Sequence, residues 1–228
     1  MDYFWNVLSG GAVTLEMALM SLAVALLIGG LGAWAKLAGP PWLVALAQGY
    51  TSVIRGVPDL VLLLLLFYGG PVLINMGLQS LGVEEHLDLE PFVAGVLTLG
   101  LIFGGYLTET FRGAVMSIPA GQLEAAAAYG LGRWRTGWRI VLPQVLRLAL
   151  PAFTNNWLVL VKSTALVSVL GLQDIMFRAR LAAQATRQPF SFYLLTAAVY
   201  LAITIVSMLL LRWLDRRMSR HLDRPARP

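Results

Sequence analysis

At 228 residues, with 58% hydrophobic side chains and only 13% charged ones, the chain carries about half the charge of an ordinary soluble domain, roughly 25%. That charge cannot tile the outside of a compact water-soluble body, and the hydrophobicity is equally wrong for a disordered chain. The 17 basic and 12 acidic residues leave a net charge of +5; cysteine is absent, and His86 and His221 form no metal signature, so disulfides, thiol nucleophiles and Cys- or paired-His metal sites are excluded.

Runs free of Asp, Glu, Lys and Arg cover 17–35, 60–83, 91–108, 148–161 and 188–211. A hydrocarbon core of ~30 Å takes about 20 helical residues, and apolar blocks of this length are not the ten-residue alternation of a membrane barrel. The expected architecture is all-α and polytopic: one domain with spans at about 12–35, 58–80, 91–113, 144–170 and 188–211, a patterned segment at 117–143 and a basic tail at 212–228. No internal repeat, linker or low-complexity stretch divides it.

The first span carries Asp2 and Glu16 at its front end and no basic residue until Lys36, the reverse of a cleavable signal. The positive-inside rule then puts the N-terminus outside, with Lys36 and Arg55 in a first inner loop, Arg112 to Arg147 around a second, and the tail inside. Only Lys162, Arg178, Arg180 and Arg187 fall elsewhere, and the outer segment between the second and third spans carries Glu84, Glu85, Asp88 and Glu90 without a base. Arg55 and Asp59 flank Pro58 and read as anchors of the second span's inner end. Gly100 and Gly104 in the third span read as a close helix contact, and Glu109 lies one turn from Arg112, with which it is expected to pair.

The segment 117–143 is not an ordinary loop. Strong helix formers at 120–129 stop at Gly130, and a second short helix from Arg133 to about Val141 mixes Trp134, Trp138 and Ile140 with Arg133, Arg135 and Arg139 before Pro143 starts the next span. Two readings stand: an amphipathic stretch lying at the lipid surface, or a rigid knob on which a partner pushes.

The fourth apolar run, between Arg147 and Lys162, is too short unless one of these snorkels or points inward. Asn155 and Lys162 are seven apart, as are Asn156 and Ser163, so each pair lies two turns apart on nearly one face, and Pro151 removes a backbone bond just before them. Glu109, Asn155, Asn156, Lys162, Ser163, Thr164 and Asp174 are the candidates for a substrate path or gate; the plain alternative is bonding between neighbouring helices. The tail's six arginines after the fifth span read as a topology anchor near anionic lipid; without interleaved aromatic residues they do not suggest nucleic acid.

Glu124-Ala125-Ala126, Gly130 four residues on, and Ile140-Val141-Leu142-Pro143 resemble, without a gap, the EAA motif of ABC importer permeases. Ile54 to Pro58, Tyr106 to Gly113 and Lys162 to Ser168 resemble the polar amino-acid branch of that family. The strings 49–69 and 155–157 are similar to the first permease subunits of histidine and basic amino-acid importers, with opine permeases near by. The resemblance implies a five-helix inner-membrane subunit that pairs with a second, non-identical permease chain, two ATPase subunits and a periplasmic binding protein. Its implied cargo is amino acids, particularly histidine, arginine, lysine and ornithine, or opines. It also implies that Glu124, Ala125, Ala126, Gly130, Ile140, Leu142 and Pro143 form the ATPase-coupling element. The chain has no GxxxxGK[ST] loop, so ATP and magnesium are expected on the partner subunits and no cofactor on this one; it is expected to be a transport subunit, not an enzyme. The rival reading is an ATP-independent homo-oligomeric channel or secondary transporter.

Overall fold

A computed structural model describes residues 2–81 and 90–219. Glu84, Glu85 and Asp88 of the outer segment, both histidines and the last three arginines of the tail lie outside the described residues. Among the described residues the chain is helical, without strands: α1 (Asp2–Ala38), α2 (Pro41–Gly56), α3 (Asp59–Ser80), α4 (Pro91–Met116), α5 (Ala120–Ala128), α6 (Arg133–Leu170), α7 (Ile175–Thr186) and α8 (Pro189–Ser219). Five of these, α1, α3, α4, α6 and α8, are long and apolar enough to cross a membrane. The all-α polytopic reading holds.

Three local features differ from the sequence expectation. The first helix starts at Asp2 rather than near 12, because Asp2 and Glu16 interrupt hydropathy without interrupting helical geometry. The inner segment after Lys36 is not a loop: α2 opens on Pro41, whose missing N–H suits the first turn, and folds back against α1 and α4 through Ala47, Thr51 and Ile54. The second helix of the patterned segment does not end at Val141. It continues through Pro143 into the membrane as α6.

That continuity has a cause. Residues 137–141 form a π-turn, and a second π-turn spans 65–69 in α3. Each ends two residues before a proline, Pro143 and Pro71, and contains the carbonyl four residues before it, Arg139 and Phe67. A proline ring clashes with that carbonyl in a regular α-helix, and widening the turn relieves the clash without breaking the helix.

α4 is the axis of the bundle, with half of its residues buried, whereas α3 and α8 present nearly all of their surface outward. Its glycines admit the neighbours. A Cβ on Gly100 would fall 2.5 Å from Val24 Cγ1, one on Gly104 2.7 Å from Ile28 Cγ2, and one on Gly105 2.8 Å from Ile54 Cγ2. The fit is reciprocal: Gly29 of α1 receives Leu107, and Gly32 lies against Thr108. α1 and α4 therefore run side by side in the same direction at a spacing that only glycine permits. At the other end Gly10 lies directly on the backbone of Asp174 and Ile175, seating the start of α7 against α1, with Val7, Ile175, Ala179 and Ala182 as a small separate core.

Gly100→Leu is expected to destabilise the protein by about 1–3 kcal/mol through overpacking against Val24. Gly30→Ala, where a Cβ meets nothing within 4 Å, is expected to leave it unchanged or slightly more stable. Thermal unfolding in detergent, followed by loss of the monodisperse size-exclusion peak, compares the two.

Candidate functional site

The patterned segment projects from the inner end of the bundle, the end that carries Lys36, Arg112 and Arg147. α4 ends at Met116, and Ile118 then packs with Ala114, Val145 and Ala149 into a small core between α4 and α6. From this base α5 stands clear: of its nine residues only Ala126 is buried, while Glu124 and Ala125 are exposed. Its C-terminus closes in a Schellman arrangement. The Leu131 N–H donates to the Ala126 carbonyl at 3.0 Å and the Gly130 N–H to Ala127 at 2.9 Å, and Gly130 takes φ +71°, which a side chain would strain. Gln144 Nε2 donates to Gln122 Oε1 at 2.6 Å and to the Ile140 carbonyl at 2.9 Å, tying α5 to α6. The two helices enclose an open groove of about 550 Å³ lined by Gln122, Arg139, Ile140, Pro143, Gln144 and Arg147. Leu142 is half-buried beside it. Beyond the groove, Trp134 and Trp138 stack edge-on with ring centroids 5.9 Å apart, both largely exposed.

A second constellation lies just above the knob. Lys36 Nζ donates to Glu109 Oε1 at 2.5 Å and to Thr51 Oγ1 at 2.6 Å, joining the ends of α1, α2 and α4. The Arg112 guanidinium, which sequence spacing makes the partner of Glu109, reaches only its other oxygen, at 3.4 Å. The Lys36 side chain is 4% exposed and the carboxylate 24%. Sequence reasoning missed this pair, since nothing in local spacing relates positions 73 residues apart. Tyr50 adds a further tie, its hydroxyl donating to the Leu101 carbonyl.

The polar residues of α6 separate into two stripes. Asn156 and Ser163 turn inward, Asn156 Nδ2 donating to Thr110 Oγ1 on α4 at 3.0 Å and Ser163 being 8% exposed. Asn155 and Lys162 face out of the bundle. Thr164 is fully buried; its hydroxyl donates to the Val161 carbonyl at 2.7 Å and lies 3.4 Å from the Tyr200 hydroxyl on α8. Asp174 sits at the outer end, buried with no exposed surface, and caps α7 by accepting from the Phe177 N–H at 2.8 Å. It serves as a helix cap, at the opposite end of the bundle from Glu109. Its second oxygen has no hydrogen-bond partner among the described residues. Burial pushes this carboxyl up to about 6, against the opposing pull of the N–H donors of the helix start and of Arg180. Arg178 locks the same corner by donating to Asn6 and Ser9 of α1.

Comparison with known proteins places this geometry. A family model described as "Binding-protein-dependent transport system inner membrane component" matches residues 25–220. The histidine/lysine/arginine/ornithine transport system permease protein HisQ of Salmonella typhimurium is 48% identical over 213 residues, 93% of each chain. The octopine transport system permease protein OccQ of Rhizobium radiobacter is 40% identical over 220 residues, 96% of this chain and 93% of that one. Among solved structures, an amino acid ABC transporter chain superposes with a TM-score of 0.80 at 30% identity over 95% of both chains. A MetNI methionine ABC transporter chain shares the fold at a TM-score of 0.60 and 18% identity, covering 98% of this chain and 95% of that one.

Two outcomes follow from the buried charges. Glu109→Gln strands the Lys36 ammonium and is expected to cost about 3–5 kcal/mol, whereas Lys36→Met/Glu109→Gln recovers most of that loss; thermal midpoints of the two single variants and the double variant in detergent close the cycle. For Asp174 the folded-state pKa lies above the ordinary 3.8, so its ionisation costs stability as pH rises from about 4 through about 6, and the loss stays constant above that. Asp174→Asn, which keeps an N-cap, is expected to raise the unfolding midpoint at pH 8 and to match the parent at pH 4.

Proposed function

Because the chain belongs to the family of binding-protein-dependent transport system inner membrane components, we propose that its exposed α5 is the handle through which an ATPase subunit drives the bundle during amino-acid import. The protein is a multi-pass inner-membrane permease subunit of an amino-acid ABC importer, a transport component rather than an enzyme, and permeases of this kind work with ATPase and permease partners.

One observation carries the coupling reading: a nine-residue helix with a single buried residue, joined to the membrane helices on either side only through residues 117–119 and 129–132. Such a helix forms no core of its own and is mounted stiffly enough to transmit force. Ala125 and Ala126 keep its surface low for close approach, Glu124 offers a carboxylate to N–H donors in a receiving groove, and the left-handed Gly130 fixes where the helix turns back. Ile140 and Pro143 line the adjoining groove, where the partner gains apolar contact. When the ATPase pair closes on ATP, the displaced α5 carries α4 through Ile118 and the Gln122–Gln144 link carries α6. The Lys36–Glu109–Thr51 junction makes α1 and α2 follow α4. The bundle then moves as one body against its partner permease and exposes the polar faces alternately to the two sides.

The finer assignments belong to the same proposal. The cargo is a basic amino acid or an opine, the second permease chain is not identical to this one, and a periplasmic binding protein delivers the cargo to the outer ends of α1, α4 and α7. Support comes from the likeness to HisQ and OccQ. Asn156 and Ser163, facing α4 in the interior, and Asn155 and Lys162, on the open face of α6, are the polar groups available to a passing zwitterion or to a gate.

Glu124→Lys is expected to lower ATP-dependent uptake into proteoliposomes at least tenfold while the permease remains folded and the ATPase still hydrolyses ATP. Uptake at the parental rate by this variant, or parental uptake without ATP, excludes the coupling role.

A further inference from the structure

The arginines after the fifth span take no part in the coupling reading, and three of them, Arg212, Arg216 and Arg217, lie on the last turns of α8. α8 has two faces. Tyr200, Ile203, Leu211 and Leu214 turn onto the main core. On the opposite face Ile205, Val206 and Leu209 are exposed, and that face continues as Arg212, Trp213, Arg216 and Arg217, all exposed. At about 100° per residue these four fall within roughly 140° of the helix circumference, Arg212 one turn from Arg216 and Trp213 one turn from Arg217. Asp215 falls outside that arc, and among the described residues no carboxylate pairs with any of the three arginines. The Arg217 guanidinium stands over the Trp213 ring, 5.3 Å from its centroid, and keeps the indole on this face.

Depth decides what this face meets. The Tyr200 hydroxyl lies 3.4 Å from that of Thr164, which stands six residues inside the outer end of α6 at Leu170, so α6 and α8 are level there. Counted down α8 from that level, Arg212 lies about 27 Å and Arg216 about 33 Å below the outer end, on either side of the inner boundary of a ~30 Å hydrocarbon core. Trp213 falls at the boundary itself, the level that suits a ring with an apolar body and a polar edge. An apolar stripe that ends in an indole and three cations matches a phospholipid from tail to head. We propose that the inner end of α8 binds one anionic phospholipid of the cytoplasmic leaflet, with its phosphodiester between Arg212 and Arg216, Trp213 at the glycerol and carbonyl level, and an acyl chain along Val206 and Leu209. Three arginines against the single carboxylate of Asp215 leave this end positive, so it selects a headgroup of net negative charge over a zwitterionic one, and guanidinium forks engage a phosphate through paired N–H donors. A topology anchor requires only positive charge on the inner side, whereas the lipid site requires these residues on one face at this depth. Such a site needs the membrane fold and its orientation, and is independent of the cargo and of the coupling role of α5.

The test reconstitutes the chain with its partner subunits into vesicles of equal parts dioleoylphosphatidylglycerol and dioleoylphosphatidylcholine. A photoreactive benzoylphenylalanine replaces either Leu209, on the stripe, or Leu65, exposed in the inner half of α3, and the adducts are weighed by mass spectrometry after irradiation. At 209 the phosphatidylglycerol adducts are expected to exceed the phosphatidylcholine adducts at least fivefold, against a ratio near one at 65. With the probe at 209, Arg212→Gln/Arg216→Gln is expected to bring the ratio close to one. Trp213→Leu, which keeps every charge, is expected to lower the yield of phosphatidylglycerol adduct at least twofold. Equal adducts of the two lipids at 209, the result of a topology anchor alone, overturn the proposal. So do adducts with an ATPase or permease chain in place of lipid, no adduct, or a ratio that the double arginine variant leaves unchanged. The ratio at 209 is read with every arginine in place, so it decides the matter even where the double variant fails to insert.

Discussion

In lipid, apolar surface has no reason to leave its solvent, so helices associate only where they fit closely enough for dispersion forces and polar ties to exceed what lipid tails supply. In this protein that constraint falls on α4. Gly100, Gly104 and Gly105 let Val24, Ile28 and Ile54 sit where side chains of α4 would otherwise stand, and Gly29 and Gly32 return the accommodation from α1. The contact sets the distance between α1 and α4, and that distance in turn allows Lys36 to reach Glu109 and Tyr50 to reach the Leu101 carbonyl. Widen it, and the ammonium of Lys36 is left buried without its carboxylate.

The same bundle ties a small exposed helix to a large buried one. α5 contributes almost nothing to the core, yet it is tied to α4 through Ile118 and to α6 through Gln122 and Gln144. The ion pair then binds α1 and α2 to α4 a few turns above. Polar interactions concentrate at this inner end, while the outer end is held by the Asp174 cap, the Arg178 bonds to Asn6 and Ser9, and the contact of Gly10 with the start of α7. Between them the packing is mostly apolar, crossed by the Asn156–Thr110 and Thr164–Tyr200 contacts.

The membrane helices were legible in the sequence because lipid imposes length and hydropathy together, and the knob because its motif is contiguous. What stayed hidden depended on groups distant in sequence or on the difference between a charged residue and a broken helix. Lys36 and Thr51 as partners of Glu109 have no local signature, and the nearer Arg112 took their place in a reading by spacing. The segment after Lys36 reads as a loop in sequence because Lys36 and Arg55 mark it as interfacial, although Pro41 at its first turn is a helix start. Asp174 stands in sequence among the candidates for a substrate path or gate; its environment is set by Gly10 and Thr14 of α1, which sequence position does not reveal. The division of Asn155 and Lys162 from Asn156 and Ser163 was half visible: the seven-residue spacing gave two stripes, but only packing shows which stripe turns inward.

The widened turn at 137–141 has an effect on winding as well as on proline. It holds one residue more than a regular turn, and one residue is about 100° of helical phase. The rim of the knob, with Trp134 and Trp138, is therefore rotated by roughly a quarter turn relative to the intramembrane stripes of α6 from where an unbroken α-helix would put it. The side of α6 that lies in line with the rim is therefore not the side that an unbroken helix would place there.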